Sequence, residues 1–186
     1  MPKEGSALYF MAIIPPSPIY ERALEFKNHF KEYYQSKAAL NSPPHVTLHM
    51  PFEWKEKKGD ELLSNLQLFS RNKNPITLQL ENFACFAPRV IYIHVNDSEP
   101  LKTFQHQLHR FCKVELNIFN AQYKHLPFHP HLTLAFRDLK KTMFEKAWNE
   151  FKNKEFVASF VADRFALLKH NGKVWEVLIE FTFASD

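Results

Sequence analysis

Two copies of one short phrase, Pro44-His45-Val46-Thr47-Leu48 and Pro130-His131-Leu132-Thr133-Leu134, each set an imidazole and a hydroxyl two residues apart. Polar and apolar residues alternate in both copies, the pattern of a half-buried β-strand. Side chains on a strand point alternately to its two faces. His45 and Thr47 therefore share one face, His131 and Thr133 share its counterpart, and Val46, Leu48, Leu132 and Leu134 turn to the core. Imidazoles ordinarily titrate near neutrality, so of two such rings one can take up a proton while the other gives one up. That division of labour suits in-line displacement at a phosphodiester, whose anionic oxygens repel the nucleophile and whose alkoxide leaves poorly. A base on the attacking side and an acid on the leaving side contribute roughly 10²–10⁴-fold. The two hydroxyls can donate to the non-bridging oxygens and steady the developing charge.

The elements that must position these residues follow from periodicity. Leu8 to Ile14 is an apolar run of strand length closed by Pro15-Pro16. Ser17-Pro18 reads as an N-cap with Pro in the first helical position, and Ile19, Ala23, Phe26, Phe30 and Tyr33 recur at helical spacing. After the first His-Thr strand, Leu62, Leu63, Leu66 and Phe69 mark a second helix. Ile76, Leu78 and Leu80 mark a strand, and a further strand runs from Val90 to Val95. Ser98-Glu99-Pro100 opens a third helix that carries Leu101, Phe104, Leu108 and Phe111. An irregular stretch over 117–130 leads to the second His-Thr strand, and Phe144, Ala147, Trp148 and Phe151 give a fourth helix. Two late strands, 157–169 and 173–183, are joined by the hairpin dipeptide Asn171-Gly172. The phrases lie 86 residues apart, nearly half the 186-residue chain, so the order reads as a duplicated unit with one phrase in each half. The expectation is an α+β fold of two pseudo-twofold lobes, with antiparallel sheets around a central cleft and helices outside. It forms a single domain over 1–186.

Bulk composition agrees with a well-packed protein. Hydrophobic residues make up 45% and Phe alone numbers 19, enough for a sizeable core and against disorder. The net charge of +4 suits a phosphorylated or nucleic-acid ligand without a basic tail. Cys85 and Cys112 form no CxxC pair, and there is no signal peptide or membrane span, so two free thiols in a cytoplasmic compartment are expected. Gly5, Gly59 and Gly172 build neither a Walker loop nor a dinucleotide fingerprint.

The paired His-x-Thr-Leu strands, each preceded by Pro, resemble those of the two-histidine (2H) phosphoesterase superfamily, in particular its 2′-5′ RNA ligase-like and 2′,3′-cyclic phosphodiesterase branch. The resemblance implies a bilobal fold and a metal-free mechanism without cofactor. It implies substrates that are cyclic phosphates or 2′-linked nucleotides, either mononucleotides or RNA ends. Nothing in the chain points to an obligate protein partner, and a monomer is expected. Carried onto this chain, it makes His45 and His131 the acid–base pair and Thr47 and Thr133 the phosphate holders. His131 then activates water and His45 protonates the leaving oxygen. The second motif runs Leu134-Ala135-Phe136-Arg137, whereas in many relatives Arg follows Ala directly.

Other residues have a weaker claim. By alternation His49 shares the face of His45 and Thr47. Phe10, Phe86 and Trp175 are candidates for stacking on a base, while Arg89 and Lys169 lie near strand ends where a phosphate could be drawn. His125, His129 and His131 would suggest zinc, but no Cys or carboxylate completes a ligand set. His106 and His109 fall on solvated positions of the third helix. Two rival readings stand beside hydrolysis: a nucleotide- or RNA-binding module of the same fold, and reversible 2′-5′ ligation through the same site. The loops at 55–60 and 117–129 are expected to choose the leaving group.

Overall fold

A computed structural model describes residues 2–119 and 127–184. Its strands are β1 (Ser6–Ile13), β2 (Val46–Lys55), β3 (Ile76–Phe86), β4 (Val90–Val95), β5 (His131–Ala135), β6 (Val157–Ala162), β7 (Arg164–His170) and β8 (Trp175–Thr182). Its helices are α1 (Ile19–Tyr34), α2 (Gly59–Ser70), α3 (Glu99–Glu115) and α4 (Lys141–Phe151). The strands join in one sheet of order β6-β3-β4-β5-β2-β1-β7-β8, antiparallel throughout. The sheet curls into a half-barrel.

That order is symmetric about the β5/β2 seam, with β4 matching β1, β3 matching β7 and β6 matching β8. Each lobe holds one His-Thr phrase, as expected, but the lobes share a sheet and are not the two halves of the chain. The lobe with His45 is built from β1 and β2 together with the late hairpin β7–β8, while the lobe with His131 takes the middle of the chain, β3 to β6. The run expected as one strand over 157–169 accordingly breaks at Asp163. β6 pairs with β3 at one edge, whereas β7 crosses to pair with β1 on the far side. No Gly or Pro marks that break, so patterning passes over it.

Layering follows from the alternation. Tyr9, Met11 and Ile13 of β1, and Ile91, Ile93 and Val95 of β4, face a core that also holds Ala23, Phe30, Leu66, Phe104, Leu108, Phe144 and Phe151 from all four helices. The helices therefore cover one face of the sheet. The opposite face carries a small apolar group, Phe10, Ala12, Ala166 and Leu168, with Ile14 and Trp175 packed against it. α3 opens at Ser98-Glu99-Pro100 as expected, and Ser98 caps it, its Oγ accepting from the Leu101 N–H at 3.3 Å. Ser17 does not cap α1, which starts at Ile19 without a side-chain cap. Between β7 and β8 the turn is longer than a two-residue hairpin. Asn171 N–H donates to the Val174 carbonyl at 3.0 Å, and Asn171 Oδ1 accepts from the N–H groups of Lys173 and Val174, both at 2.9 Å.

Candidate active site

The face of the sheet away from the helices carries both phrases. Val46 pairs with Leu132 across the seam. In that antiparallel register His45 stands opposite Thr133 and Thr47 opposite His131. Directly opposed residues on a sheet lie roughly 4.5–5.5 Å apart, so the two imidazoles and two hydroxyls form one four-cornered group about the pseudo-twofold axis. All four residues are partly buried.

The rings are held alike. His45 Nδ1–H donates to the Pro43 carbonyl and His131 Nδ1–H to the His129 carbonyl, both at 2.7 Å. A carbonyl can only accept, so Nδ1 carries the proton in each ring and Nε2 is left as the basic nitrogen. Aromatic rings back both imidazoles. Phe10 lies 4.9 Å from His45, and Tyr92 and Phe86 lie 5.0 and 5.3 Å from His131. Burial pushes the His45 pKa well below the ordinary imidazole value, and the Lys27 charge and His131 add to this against the Pro43 carbonyl. His131 is lowered as well, by burial first, with the His129 carbonyl opposing and the His129 ring adding. An imidazole so placed is a neutral base, and an anionic phosphodiester between the rings would favour the imidazolium that an acid requires.

The remaining sequence candidates divide. Phe86 is 40% exposed at the end of β3, beside His131 and 4.6 Å from Tyr92, and so presents a ring to the cleft. Trp175 is half-buried, 4.8 Å from Phe10 and 4.9 Å from His170. Phe10 itself is only 4% exposed and serves as a wall behind His45 and not as a stacking platform. Arg89 is exposed in the tight β3–β4 turn, where its N–H donates to the Phe86 carbonyl at 3.2 Å.

Lys169 faces the wrong way. It pairs with Tyr9, a core-facing residue of β1, and its ammonium meets Glu56 at 2.5 Å. His170, one residue on, takes the cleft side next to Trp175. His49 also departs from alternation. Thr47 pairs with Ala12 but His49 with Met11, so β2 carries an extra residue at Leu48 and the phase flips. His49 is thereby turned to the helix side, 2% exposed, against His109 and Phe52. The Leu48 carbonyl accepts from Gln105 Nε2 at 3.3 Å and from His109 Nε2 at 3.2 Å, so His109 is not merely a solvated position. Met50-Pro51 was the available signal, since Pro withholds a ladder donor.

Tyr92 and His94 stand beside the second motif and were missed by sequence reasoning. They alternate with buried Ile91, Ile93 and Val95, and they pair with Thr133 and His131. His129 approaches His94 at 5.9 Å. Among the described residues no cluster of three or more His, Cys, Asp or Glu could hold a metal ion, and His125 lies outside them. Arg137 lines a different cavity, of about 1010 Å³, between the far part of β2 and the end of α3. The cavity includes neither motif histidine.

Fold and geometry define a protein with a twice-repeated His-Thr frame on an eight-stranded sheet, and comparison with known proteins gives its class. The model of the 2′-5′ RNA ligase superfamily matches residues 15–174, and the chain belongs to that family. A protein of Geobacillus kaustophilus named "Putative phosphoesterase" is 29% identical over 162 residues, which cover 86% of each chain. A relative of the same name from Geobacillus thermodenitrificans is 31% identical, covering 77% of this chain and 79% of its own. Among solved structures, E. coli LigT complexed with 3′-AMP aligns with a TM-score of 0.70 at 21% identity, covering 96% of this chain and 98% of LigT. The Thermus thermophilus protein TT0787 aligns at 0.69 and 20% identity, covering 96% of this chain and 99% of its own. No helix among the described residues is long and apolar enough to cross a membrane.

Proposed function

We propose that this protein is a phosphodiesterase that opens 2′,3′-cyclic phosphates of nucleotides or RNA ends, with His45 and His131 exchanging protons at the scissile phosphate. The observation that carries this reading is the matched pair of imidazoles. Each has Nδ1–H committed to a backbone carbonyl and Nε2 as its reactive nitrogen, on a sheet face that also bears Thr47 and Thr133. One Nε2 takes a proton from water as the water oxygen bonds to phosphorus. The bond to the ribose oxygen breaks, and that oxygen takes a proton from the other Nε2. The threonine hydroxyls donate to the two non-bridging oxygens. Membership of the superfamily supports chemistry of this class, and the LigT complexes with 3′-AMP, ATP and NADP+ support a nucleotide-sized ligand.

Ligation is the same ring opening with a ribose hydroxyl attacking phosphorus in place of water, and its reverse cleaves the 2′-5′ linkage back to the cyclic phosphate. The superfamily's name favours keeping that second reading, although water at its bulk concentration favours hydrolysis. Phosphorus NMR of nucleoside 2′,3′-cyclic phosphates, in excess EDTA and beside the His45→Ala/His131→Ala double variant, tests the proposal. Ring opening by the wild type alone is expected. Binding of these ligands without turnover would favour a nucleotide-binding module, and equal turnover by the double variant would exclude the assigned residues.

A further inference from the structure

Helix α1 carries a lysine where its inward stripe calls for an apolar residue. The buried positions are Ile19, Ala23, Lys27, Phe30 and Tyr34, and Lys27 is 1% exposed. Its Nζ donates to the carbonyls of Ala39 at 2.9 Å and Ser42 at 3.0 Å, and it has no ion pair with a carboxylate among the described residues. A buried cation without a counter-ion is costly, and here burial alone brings the lysine pKa down from 10.5 to about 7.

What this cation holds is the approach to His45. The two carbonyls belong to the 3-10 turn Ala38–Asn41 and to the stretch that follows it. Pro43 and Pro44 offer no N–H and fix their own φ, which stiffens that stretch. The Ser42 carbonyl accepts from Lys27, and the very next carbonyl, that of Pro43, accepts from His45 Nδ1. Ammonium and imidazole thus hang from successive peptide units of one rigid segment. The other end of the turn is tied to the second motif. Asp138, three residues beyond β5, accepts from Ser36 Oγ at 2.8 Å and from the N–H groups of Lys37 at 2.8 Å and Ala38 at 3.0 Å.

We propose that Lys27 is a positioning residue of this site: it fixes the segment that orients His45 and, as a positive charge beside His45 and not beside His131, makes His45 the general base and His131 the general acid. The inference rests on the phosphodiesterase reading above and reverses the polarity that the sequence resemblance implies. The titratable groups facing His45 are Lys27 from α1 and His131 from β5, and Phe10, Thr133 and the Pro43 carbonyl lie beside it without charge. His131 faces His129, Tyr92 and His94 of β4 and the apolar ring of Phe86. Its polar neighbours are therefore other imidazoles, whereas His45 has the lysine ammonium. In the step, His45 Nε2 takes the water proton and His131, as imidazolium, gives its Nε2 proton to the ribose oxygen that leaves phosphorus.

Two experiments test this. The first compares His45→Ala and His131→Ala on a nucleoside 2′,3′-cyclic phosphate and on thymidine 3′-(4-nitrophenyl) phosphate, whose nitrophenolate leaves without a proton. His131→Ala should recover on the aryl ester to within about tenfold of wild type while His45→Ala stays inactive, because only an acid becomes dispensable with such a leaving group. The opposite pattern, or equal loss on both esters, would overturn the polarity. The second follows kcat/KM against pH for the cyclic phosphate in wild type, Lys27→Met and Lys27→Gln. Loss of the charge should raise the acid limb by about one pH unit in both variants. A lower rate with an unmoved limb would overturn the electrostatic role. Failure of the wild type to turn over either ester would overturn the phosphodiesterase reading itself, a result distinct from both of these.

Discussion

The two lobes repeat a frame and differ in what surrounds it. In both, a histidine gives its Nδ1–H to a carbonyl two residues earlier, a threonine follows two residues later, and an aromatic ring closes the back. The His45 lobe carries the apolar group Phe10, Ala12, Ala166 and Leu168 on the cleft side, with His170 farther along β7 beside Trp175, and has the buried Lys27 behind its loop. The His131 lobe places Tyr92, His94 and His129 around its ring. Repeated geometry with unequal charge yields two imidazoles that are placed alike but are not chemically alike. That inequality is what acid–base catalysis at one phosphorus atom requires.

If the frame is truly repeated, Thr47→Val and Thr133→Val should each lower kcat by about 10²-fold, the usual cost of one donor to a developing oxyanion. Steady-state rates that differ strongly between the two variants would mean that only one lobe holds the phosphate. The aromatic walls should behave less alike. Phe86→Ala removes an exposed ring and is expected to raise KM about tenfold with little change in kcat, in line with about 1–3 kcal/mol for stacking. Phe10→Leu, at a ring 4% exposed against His45, should lower kcat instead. A KM effect at Phe10 would show that it meets the base after all.

Smaller effects appear in stability. Lys27 has a pKa of about 7 in the folded chain against 10.5 ordinarily, so the unfolded chain binds more protons between those values and stability rises with pH across that window. Urea titrations of Lys27→Met should lack that rise, which is on the order of a few kcal/mol. His49 is lowered to about 4, by burial first and then by His109, against the Met50 carbonyl. Its share of stability is therefore lost as pH falls from 6.5 toward about 4, and His49→Leu should flatten that decline, by at most about 3 kcal/mol. An unchanged slope in either variant would contradict the burial assigned to that residue.

Elements with strong periodicity were legible in the sequence: four helices, the two His-Thr strands and the start of α3 at Ser98-Glu99-Pro100. What escaped has a common cause, since it depends on partners distant in the chain. Nothing local in 157–169 says that β6 and β7 pair at opposite ends of the sheet. The bulge at Leu48 is stabilised by Gln105 and His109, some sixty residues away, and it reverses the face of His49. The sequence puts Lys169 near a strand end, which does not say which face it takes, and it is His170, one residue on, that faces the cleft. Lys27 was hidden because a lysine in an amphipathic stripe reads as surface unless its acceptors, here two loop carbonyls, are known. Tyr92 and His94 were readable from alternation, but only once β4 is known to lie beside β5.

The most direct measurement is the rate of cyclic phosphate opening in His45→Ala and His131→Ala taken singly, followed by phosphorus NMR under one set of conditions. Each variant is expected to lose roughly 10²–10⁴-fold, since either imidazole alone supplies only half of the proton transfer. Wild-type rates in either single variant would contradict the two-histidine mechanism.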